Sequence, residues 1–361
     1  MDLIHPRTVV DVAEALGTAS QDGISVLVVG GRRHLDKGNP TDVDVELWTT
    51  QLDQVVAYEP DEMLVVVQSG MRCGALAELL AQHRQEWPAD APADATVGGV
   101  IASGSTSARR LRVGALRDTV VEMQLVTGDG RVVTSGARTV KNVTGYDVHR
   151  LMTGSLGTLG VITQVALKVR PMPERRRTLV AVGDVALATT IAAEVPLVAG
   201  VLGTHEGLEV RLEGWPDEID ELASAVTRLA GDTVALDEDS SFPRIPWWLW
   251  PDGGTVLEVA VVPSSLPGIL AGSTNYAALA GVGIAWVGAA SLGEIVAVRR
   301  RVEGTGGVAP AIRGPGGLGG TLPVPDVHRR LKASFDPANV LAPGRAWTPG
   351  TAAPRAPTSG G

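Results

Sequence analysis

The stretch that most constrains this chain is Gly154 to Thr163, GSLGTLGVIT, in which a glycine-rich loop leads into a β-branched run. Three glycines, Gly154, Gly157 and Gly160, fall within its first seven positions. Glycine has no Cβ, so the backbone of such a loop can approach another group closely. A strand predicted over 161–169 would hold the loop rigid, which suits a flat or phosphorylated ligand bound by main-chain amides. A glycine-rich turn in an ordinary sheet would give the same pattern, and this segment alone leaves both interpretations open.

Two further glycine-rich loops precede this one, and each is tied to a predicted strand. The strand at 25–29 runs into the loop 30–40, and a second loop, ATVGGVIASGS, covers 95–105. Neither is the G-x-G-x-x-G fingerprint that opens a helix in a Rossmann fold. Three loops of this kind could converge on one extended ligand. Arg32, Arg33 and Lys37 in the first loop would either add positive charge to a diphosphate or remain solvated.

Composition narrows the class of protein. The 361 residues predict two or three domains, and the net charge of −9 argues against a nucleic-acid partner. Cys73 is the single cysteine, which excludes an intrachain disulfide and indicates a reducing compartment. The run Arg175–Arg177 is typical of a solvated connector. The sequence predicts no signal peptide and no transmembrane segment, because no basic-then-apolar leader occurs and the most apolar window is interrupted by charge and proline.

The remaining pattern predicts a mixed fold. A helix capped by Thr8 opens the chain, a strand over 42–48 alternates to leave one polar face, and a hairpin is predicted across 127–131, where Asp-Gly favours a tight turn. After residue 173 the order strand, strand, helix, strand indicates a small α+β module. A helix is expected over 327–335.

The three loops, in this order, resemble the FAD-binding domain of the vanillyl-alcohol oxidase (PCMH-type) flavoprotein superfamily. Residues 95–99 are similar to its A-T-[IV]-G-G loop, and residues 154–163 to its G-S-x-G-T-L-G-x-x-T segment. Three other motifs narrow the resemblance to the FAD-binding subunits of bacterial glycolate oxidases: KNVTGYD at 141–147, GALRD at 114–118, and the F-D-P to P-G-R ending at 335–345.

The resemblance implies an α+β fold, in which a two-subdomain PCMH-type FAD-binding domain carries a smaller α+β cap domain. The FAD-binding domain is expected over 1–173 and the cap over 174–320. A C-terminal segment, 321–347, is expected to return to the FAD domain. Residues 348–361, rich in proline, alanine and glycine, are expected to form a disordered tail.

The resemblance also implies FAD as the cofactor and a set of residues that bind it. The diphosphate would lie on Gly30, Gly31, Arg32, Arg33, His34 and Leu35. The diphosphate and flavin would lie near Thr96, Gly98, Gly99, Ser103, Gly104 and Ser105. Arg117 and Asp118 would be close to the flavin, with Arg345 a further candidate, and Gly154, Gly157, Gly160 and Ile162 would contact the adenosine end or pack beneath the cofactor. Related chains have a third glycine where Arg32 stands, and arginine adopts positive φ less cheaply than glycine.

The implied function is that of an FAD-dependent oxidoreductase acting on the CH–OH group of 2-hydroxy acids. It would belong to a glycolate oxidase-type complex with a catalytic flavoprotein subunit and an iron–sulfur subunit, cytoplasmic or peripheral at the inner face of the membrane. No catalytic base is assigned. Related dehydrogenases carry a histidine cluster in the cap, where this chain has only His205, so no metal site is expected.

Two alternatives stay open. A non-catalytic structural subunit would keep the fold and bind FAD weakly or not at all, which the arginine at position 32 favours. A stand-alone FAD-dependent oxidase or dehydrogenase would act on another substrate without partner chains. The cluster Trp247, Trp248 and Trp250 is either part of a cap core or a partner surface.

Overall fold

The computed structural model describes residues 2–138, 146–236, 242, 254–314 and 326–345. The glycolate-oxidase-like residues 141–145, the three tryptophans at 247, 248 and 250, and the segment expected to form a disordered tail lie outside these ranges. The described chain forms two units. The first unit carries the three glycine loops, and the second unit is one large sheet with helices against it.

The first unit begins with a three-stranded parallel sheet and one helix. Thr8 caps this helix through a capping box with Asp11, as the sequence predicts. The strands are β1 (Asp2–Ile4), β2 (Val26–Val29) and β3 (Val45–Trp48), in the order β1-β3-β2, and the helix is α1 (Val9–Asp22). Val12 and Leu16 of α1 are completely buried against this sheet.

An antiparallel five-stranded sheet forms the rest of the first unit. Its strands are β4 (Val55–Glu59), β5 (Leu64–Gln68), β7 (Val120–Val126), β8 (Val132–Gly136) and β9 (Val161–Lys168), in the order β4-β5-β9-β7-β8. The hairpin predicted across 127–131 is confirmed, since β7 pairs with β8. The helices are α2 (Cys73–Ala81), α3 (Val97–Ser103), α4 (Arg110–Val113) and α5 (Val148–Met152), and β6 (Gln85–Glu86) pairs with β10 (Arg170–Pro171). Apolar residues of α2, α3 and this sheet share one core.

The second unit is an eight-stranded antiparallel sheet built from residues 175–313, within the segment expected for the cap. Its strands are β11 (Arg175–Ala181), β12 (Gly200–Thr204), β13 (Leu208–Gly214), β14 (Thr233–Leu236), β15 (Thr255–Ala260), β16 (Tyr276–Leu279), β17 (Ile284–Ala289) and β18 (Ala311–Arg313). Its helices are α6 (Val185–Glu194), α7 (Pro216–Ala230), α8 (Leu266–Leu270) and α9 (Leu292–Glu303).

This sheet is an internal repeat that the sequence pattern did not predict. The elements β11 to β14, with α6 and α7, follow the order β-α-β-β-α-β, and β15 to β18, with α8 and α9, follow it again. The sheet order is β14-β11-β13-β12-β16-β17-β15-β18, so each half has the same internal strand order. The two halves meet where β12 pairs with β16. In the described ranges this unit therefore has eight strands and four helices, where the predicted order had three strands and one helix.

The C-terminal segment packs on the first unit. Helix α10 (Asp326–Phe335) precedes a return to β2, where the amide of Val26 donates to the carbonyl of Val340 at 2.8 Å. The Nζ of Lys332 donates to Asp336 at 2.6 Å and to the carbonyl of Thr158 at 2.7 Å. These bonds bring the C-terminal segment beside β2 and the third glycine loop, and the amide of Asn39 in the first loop donates to the carbonyl of Arg345 at 3.0 Å.

Two expectations about charged residues are wrong. In the strand predicted over 42–48, only 45–48 is a strand, and Glu46 is buried instead of lying on a polar face. The carboxylate tolerates burial because Arg32 and Trp48 both donate to it. The arginines 175–177 are not a solvated connector, since they begin β11, and Arg176 donates to Glu86 of the first unit at 2.7 Å.

A buried ion network joins the two units. Glu213 of the second unit is 1% exposed and accepts from Arg109 at 3.3 Å and Arg170 at 2.7 Å, both from the first unit. Arg109 also donates to Glu86 at 3.0 Å and to Asp90 at 3.1 Å. Buried charges of this kind need close partners, because desolvation is costly. The network fixes how the second unit sits over the loops of the first.

Candidate functional site

The first glycine loop leaves β2 with free backbone donors. A Cβ on Gly31 would lie 2.7 Å from the carbonyl oxygen of Asp94, so the loop is pressed against the start of the second loop. The backbone amides of Arg32, Arg33 and His34 donate no hydrogen bond to any residue in the described ranges. Successive free amides in a loop form a concavity that binds anions. The loop can therefore hold a phosphate group through its main chain.

Arg32 connects this loop to Glu46 of β3 through an ion pair. Its φ is 57°, a left-handed conformation that costs a non-glycine residue about 1–2 kcal/mol. Its guanidinium donates to both carboxylate oxygens of Glu46, at 3.1 and 3.3 Å, and lies 5.1 Å from the centroid of the Trp48 ring. The ion pair with Glu46 neutralises the charge of Arg32 and holds the loop in place. Arg32 also keeps the left-handed backbone conformation that glycine usually adopts.

The other cations of the first loop are also paired. The Nε of Arg33 donates to Asp94 at 2.9 Å, and Lys37 lies 3.8 Å from Glu258 of the second unit. The Nζ of Lys37 also donates to the carbonyl of Ser103 at 3.0 Å. Each of these side chains thus binds a protein group, and the free amides are the donors that remain for a ligand.

The second loop is built by close packing around a glycine pair. Thr96 caps α3, and its Oγ1 accepts from the amide of Gly99 at 3.2 Å. A Cβ on Gly98 would lie 2.6 Å from the Cβ of Ser69, at the end of β5. Only glycine fits at this approach without movement of the backbone. The same chain segment thereby positions Thr96, Gly98 and Gly99 beside the first loop.

A line of polar side chains connects the first and second loops. The Oγ atoms of Ser103 and Ser105 are 2.8 Å apart, and the Oγ of Ser105 is 3.4 Å from the Nε2 of His34. Burial lowers the pKa of His34, and the positive charge of Lys37 lowers it further. The imidazole is therefore neutral at neutral pH.

The third loop has positive φ at three residues. Gly154, Leu156 and Gly157 have φ values of 85°, 54° and 74°. A Cβ on Gly157 would contact the Cβ of Val28 at 3.3 Å, and the amide of Leu156 donates to the carbonyl of Ala102 in α3 at 2.8 Å. The third loop thus packs directly on β2 and on α3.

The three loops surround one groove. Most of the predicted cofactor residues line it, together with Arg345 from the C-terminal segment. These are Gly30, Gly31, Arg32, Arg33, His34, Leu35, Thr96, Gly98, Gly99, Ser103, Gly157, Gly160 and Ile162. The sequence did not predict Val28, Thr49, Ser69, Ala95, Ala102 and Leu156, which also line it. These residues lack a motif of their own, and strand and helix packing brings them to the groove.

A second cavity, of about 260 Å³, adjoins the groove at Ser103 and Leu156. Four predicted residues line this cavity and not the groove: Gly104, Ser105, Arg117 and Gly154. Asp118 lines neither space, and it accepts from Arg150 at 2.5 Å. The cavity also contains Lys37, Thr106, Arg110, Ala115, Leu116, Arg150, Thr153, Glu258 and Pro310. Glu258 and Pro310 belong to the second unit, so the cavity lies between the two units.

Three further reactive side chains lie away from both spaces. Tyr146, of the KNVTGYD motif, is 93% exposed, and His205 is in the turn between β12 and β13 beside Glu206. Burial raises the pKa of Cys73 to about 12, so its thiol is not ionised at neutral pH. Among the described residues, no His, Cys, Asp or Glu cluster could hold a metal ion. None of the helices in those same ranges is long and apolar enough to cross a membrane.

Comparison with known proteins identifies the family. Residues 3–136 match the FAD binding domain family. Glycolate oxidase subunit GlcE of Escherichia coli strain K12 is 30% identical over 308 residues, which are 81% of this chain and 84% of that protein. The chain belongs to the PCMH-type FAD-binding flavoprotein family. Its cofactor is FAD, as the sequence motifs predict.

Other members of the PCMH-type family match a smaller part of their own length. Glycolate oxidase subunit GlcD of Bacillus subtilis strain 168 is 29% identical, and the match covers 50% of this chain and 39% of that protein. D-2-hydroxyglutarate dehydrogenase of Bos taurus is 33% identical over 47% of this chain and 32% of that protein. Among solved structures, an alkyldihydroxyacetonephosphate synthase superposes with a TM-score of 0.68 at 15% identity, covering 94% of this chain and 76% of that one, which supports the fold.

The groove fits the cofactor of the PCMH-type family. Free amides of the first loop suit the negatively charged diphosphate, and glycines at 98 and 157 let the backbone of two other loops approach it. Bound FAD supplies a two-electron acceptor. The protein supplies the loops that hold it and the adjoining cavity in which a second molecule could lie.

Proposed function

We propose that this chain is the FAD-binding subunit of a glycolate oxidase-type complex that oxidises 2-hydroxy acids, and that its flavin passes electrons to a partner subunit. The observation that carries the proposal is the continuity of the groove with the second cavity, which share Ser103 and Leu156. A cofactor in the groove would reach a small molecule in the cavity. The chain also covers 84% of GlcE, whose name describes it as a glycolate oxidase subunit.

Oxidation of a 2-hydroxy acid to its 2-oxo acid removes two electrons and two protons. The residues around the cavity would bind and orient the acid, and the two units would exclude water from it. By this proposal, the groove residues Gly30–Leu35, Thr96, Gly98 and Gly99 would hold the diphosphate region of FAD. Arg117 would lie on the cavity side.

A helper role within the complex has a specific observation in its favour. In the described part of the chain, no histidine lines the second cavity, and its carboxylate, Glu258, is paired with Lys37. A base for the hydroxyl proton is a usual requirement of such an oxidation. The proposed complex therefore includes a GlcD-like catalytic flavoprotein and an iron–sulfur subunit, and it would work in the cytoplasm or at the inner face of the membrane.

Absorbance spectra of the purified chain test the proposal. We expect a flavin spectrum with about one FAD per chain, and a colourless protein that takes up no added FAD would contradict it. Anaerobic addition of glycolate or D-lactate should bleach the flavin when a GlcD-like subunit is present. Bleaching by the isolated chain would instead support a stand-alone dehydrogenase.

A further inference from the structure

The second cavity contains more positive charge than its own residues neutralise. Lys37 pairs with Glu258 at 3.8 Å, and Arg150 pairs with Asp118 at 2.5 Å. Arg110 and Arg117 also line the cavity. Neither of these two guanidinium groups has an ion-pair or hydrogen-bond partner in the described ranges.

The backbone between these two arginines places both of them at the cavity. Arg110 begins the short helix α4, and Arg117 lies in the single turn 116–118. Gly114 joins them with φ 78° and ψ −169°, a region that only glycine occupies without large strain. A Cβ on Gly114 would meet no atom within 4 Å, so the requirement for glycine comes from the backbone conformation and not from packing.

The wall contributed by the second unit has the opposite charge. Glu258, on β15, accepts from the indole nitrogen of Trp286 at 3.2 Å, which fixes the carboxylate in place. An anion that enters the cavity would be repelled by Glu258 and attracted by Arg110 and Arg117. The cavity is therefore polarised, and it can orient a small molecule that has a carboxylate at one end and a hydroxyl group at the other.

We propose that Arg110 and Arg117 form a carboxylate-binding site in the cavity between the two units, and that this site recognises the acid group of the substrate. The inference rests on the proposed function and deepens it, because it assigns the residues that select a 2-hydroxy acid over a neutral alcohol. A guanidinium binds a carboxylate through parallel N–H donors, which lysine cannot reproduce. The carboxylate binds at the arginines, and the hydroxyl end faces the wall that carries Glu258.

The test measures binding of oxalate, a planar dicarboxylate that cannot undergo this oxidation, to the purified chain by calorimetry. Glycolamide, which is neutral and similar in shape to glycolate, is the matched ligand that should not bind. We expect R110A and R117A each to raise the oxalate Kd about tenfold or more, because each removes a charge-assisted hydrogen-bond donor. R110K and R117K should retain only part of the affinity.

Two further variants separate charge from folding. R112A is the control, because Arg112 is on the same helix as Arg110, lines a different pocket and lies 3.7 Å from Glu218, so oxalate affinity should not change. Glu258→Gln should strengthen oxalate binding, because it removes a negative charge from the cavity wall. Damage to the fold would weaken oxalate binding, so tighter binding by E258Q can only come from the change in charge.

The results also separate this inference from the proposed function. Calorimetry detects oxalate whether or not the flavin is present, whereas absorbance reports FAD content. The carboxylate site would be overturned, and the flavin assignment left intact, by a yellow protein in which R110A and R117A bind oxalate as tightly as the unaltered chain. The same conclusion would follow if neither the unaltered chain nor E258Q bound oxalate. A colourless protein whose oxalate binding depends on both arginines would overturn the flavin assignment alone.

Discussion

Arg32 and Glu46 form a two-point ion pair that connects the first glycine loop to a buried position of β3. The Glu46 side chain is 3% exposed, whereas half of the Arg32 side chain is accessible to solvent. A glycine in place of Arg32 would make the same left-handed turn but would leave Glu46 with the indole of Trp48 as its remaining charge-stabilising partner. At this position, therefore, an arginine side chain holds the loop through its ion pair, which a glycine could not do.

This pair predicts an asymmetry between two adjacent arginines. We expect R32A to lower the free energy of unfolding by about 1–3 kcal/mol, because a buried carboxylate loses a charged partner. R33A is the matched control, since Arg33 pairs with an exposed carboxylate, and the cost should be below about 1 kcal/mol. Denaturant titration of both variants measures the difference. Equal losses of stability in R32A and R33A would show that the Arg32–Glu46 pair contributes nothing. In a chain that already carries E46Q, R32A should cost less.

The neutral state of His34 predicts a dependence of stability on pH. Burial lowers the pKa of His34 in the folded chain below the ordinary value of 6.5, so the unfolded chain binds the proton first as the pH falls. The folded state therefore loses stability as the pH decreases below 6.5, and His34 contributes nothing at higher pH, where both states are neutral. In H34Q this part of the slope should disappear. Unfolding free energies at pH 7.5 and 5.5, compared between the two proteins, measure it.

The glycine pair of the second loop predicts a steric effect on cofactor binding. In G98A the new methyl would lie 2.6 Å from the Cβ of Ser69 and 3.0 Å from its carbonyl oxygen, so the backbone of α3 has to move. We expect a loss of about 1–3 kcal/mol in stability and a lower FAD content. G17A in α1 is the control, because a Cβ there meets no atom within 4 Å and should stabilise the helix by about 0.5–1 kcal/mol. Normal FAD content in G98A would show that the close contact between Gly98 and Ser69 does not shape the groove.

The sequence predicted the groove better than the cavity for a physical reason. Each glycine loop is a local pattern, because a turn with positive φ or a close backbone approach selects glycine at that position, as at Gly98 and Gly157. The cavity is lined by Lys37, Arg110, Arg150 and Glu258, which come from distant elements that packing alone brings together. No local spacing could indicate that these side chains meet.

The repeat in the second unit was missed for two different reasons. Strand β16, YAAL, contains two alanines, which have weak β-propensity, and burial inside the sheet determines its conformation. Helix α9, in contrast, carried a readable signal: Ser291 caps it, Glu294 follows at the position typical of a capping box, and Ile295, Val298 and Val302 lie on one buried face. The conformation of β16 therefore depends on tertiary context, whereas the local sequence of α9 is sufficient to indicate a helix.

The network at Glu213 predicts how the two units stay together. Burial alone would raise the pKa of Glu213, but the charges of Arg109, Arg170 and Arg176 outweigh it and lower the pKa. A carboxyl whose pKa is lowered by folding contributes stability above its unfolded pKa, and this contribution is lost as the pH falls through the folded pKa. We expect E213A to cost about 1–3 kcal/mol, because Arg109 and Arg170 lose one buried carboxylate acceptor and keep Glu86.

The location of Glu213 separates a loss of docking from a loss of folding. It lies on β13 of the second unit, whereas Arg109 and Arg170 belong to the first, so E213A should loosen the contact between the units before either unfolds. Hydrogen exchange should then increase at β6 and β10, beside the network, and remain low in the core strands β5 and β9. E218A is the control, because Glu218 is partly exposed and forms a longer 3.7 Å pair with Arg112. If E213A unfolds both units in one transition with no earlier exchange at β6 and β10, the network supports the whole fold and not the contact between units.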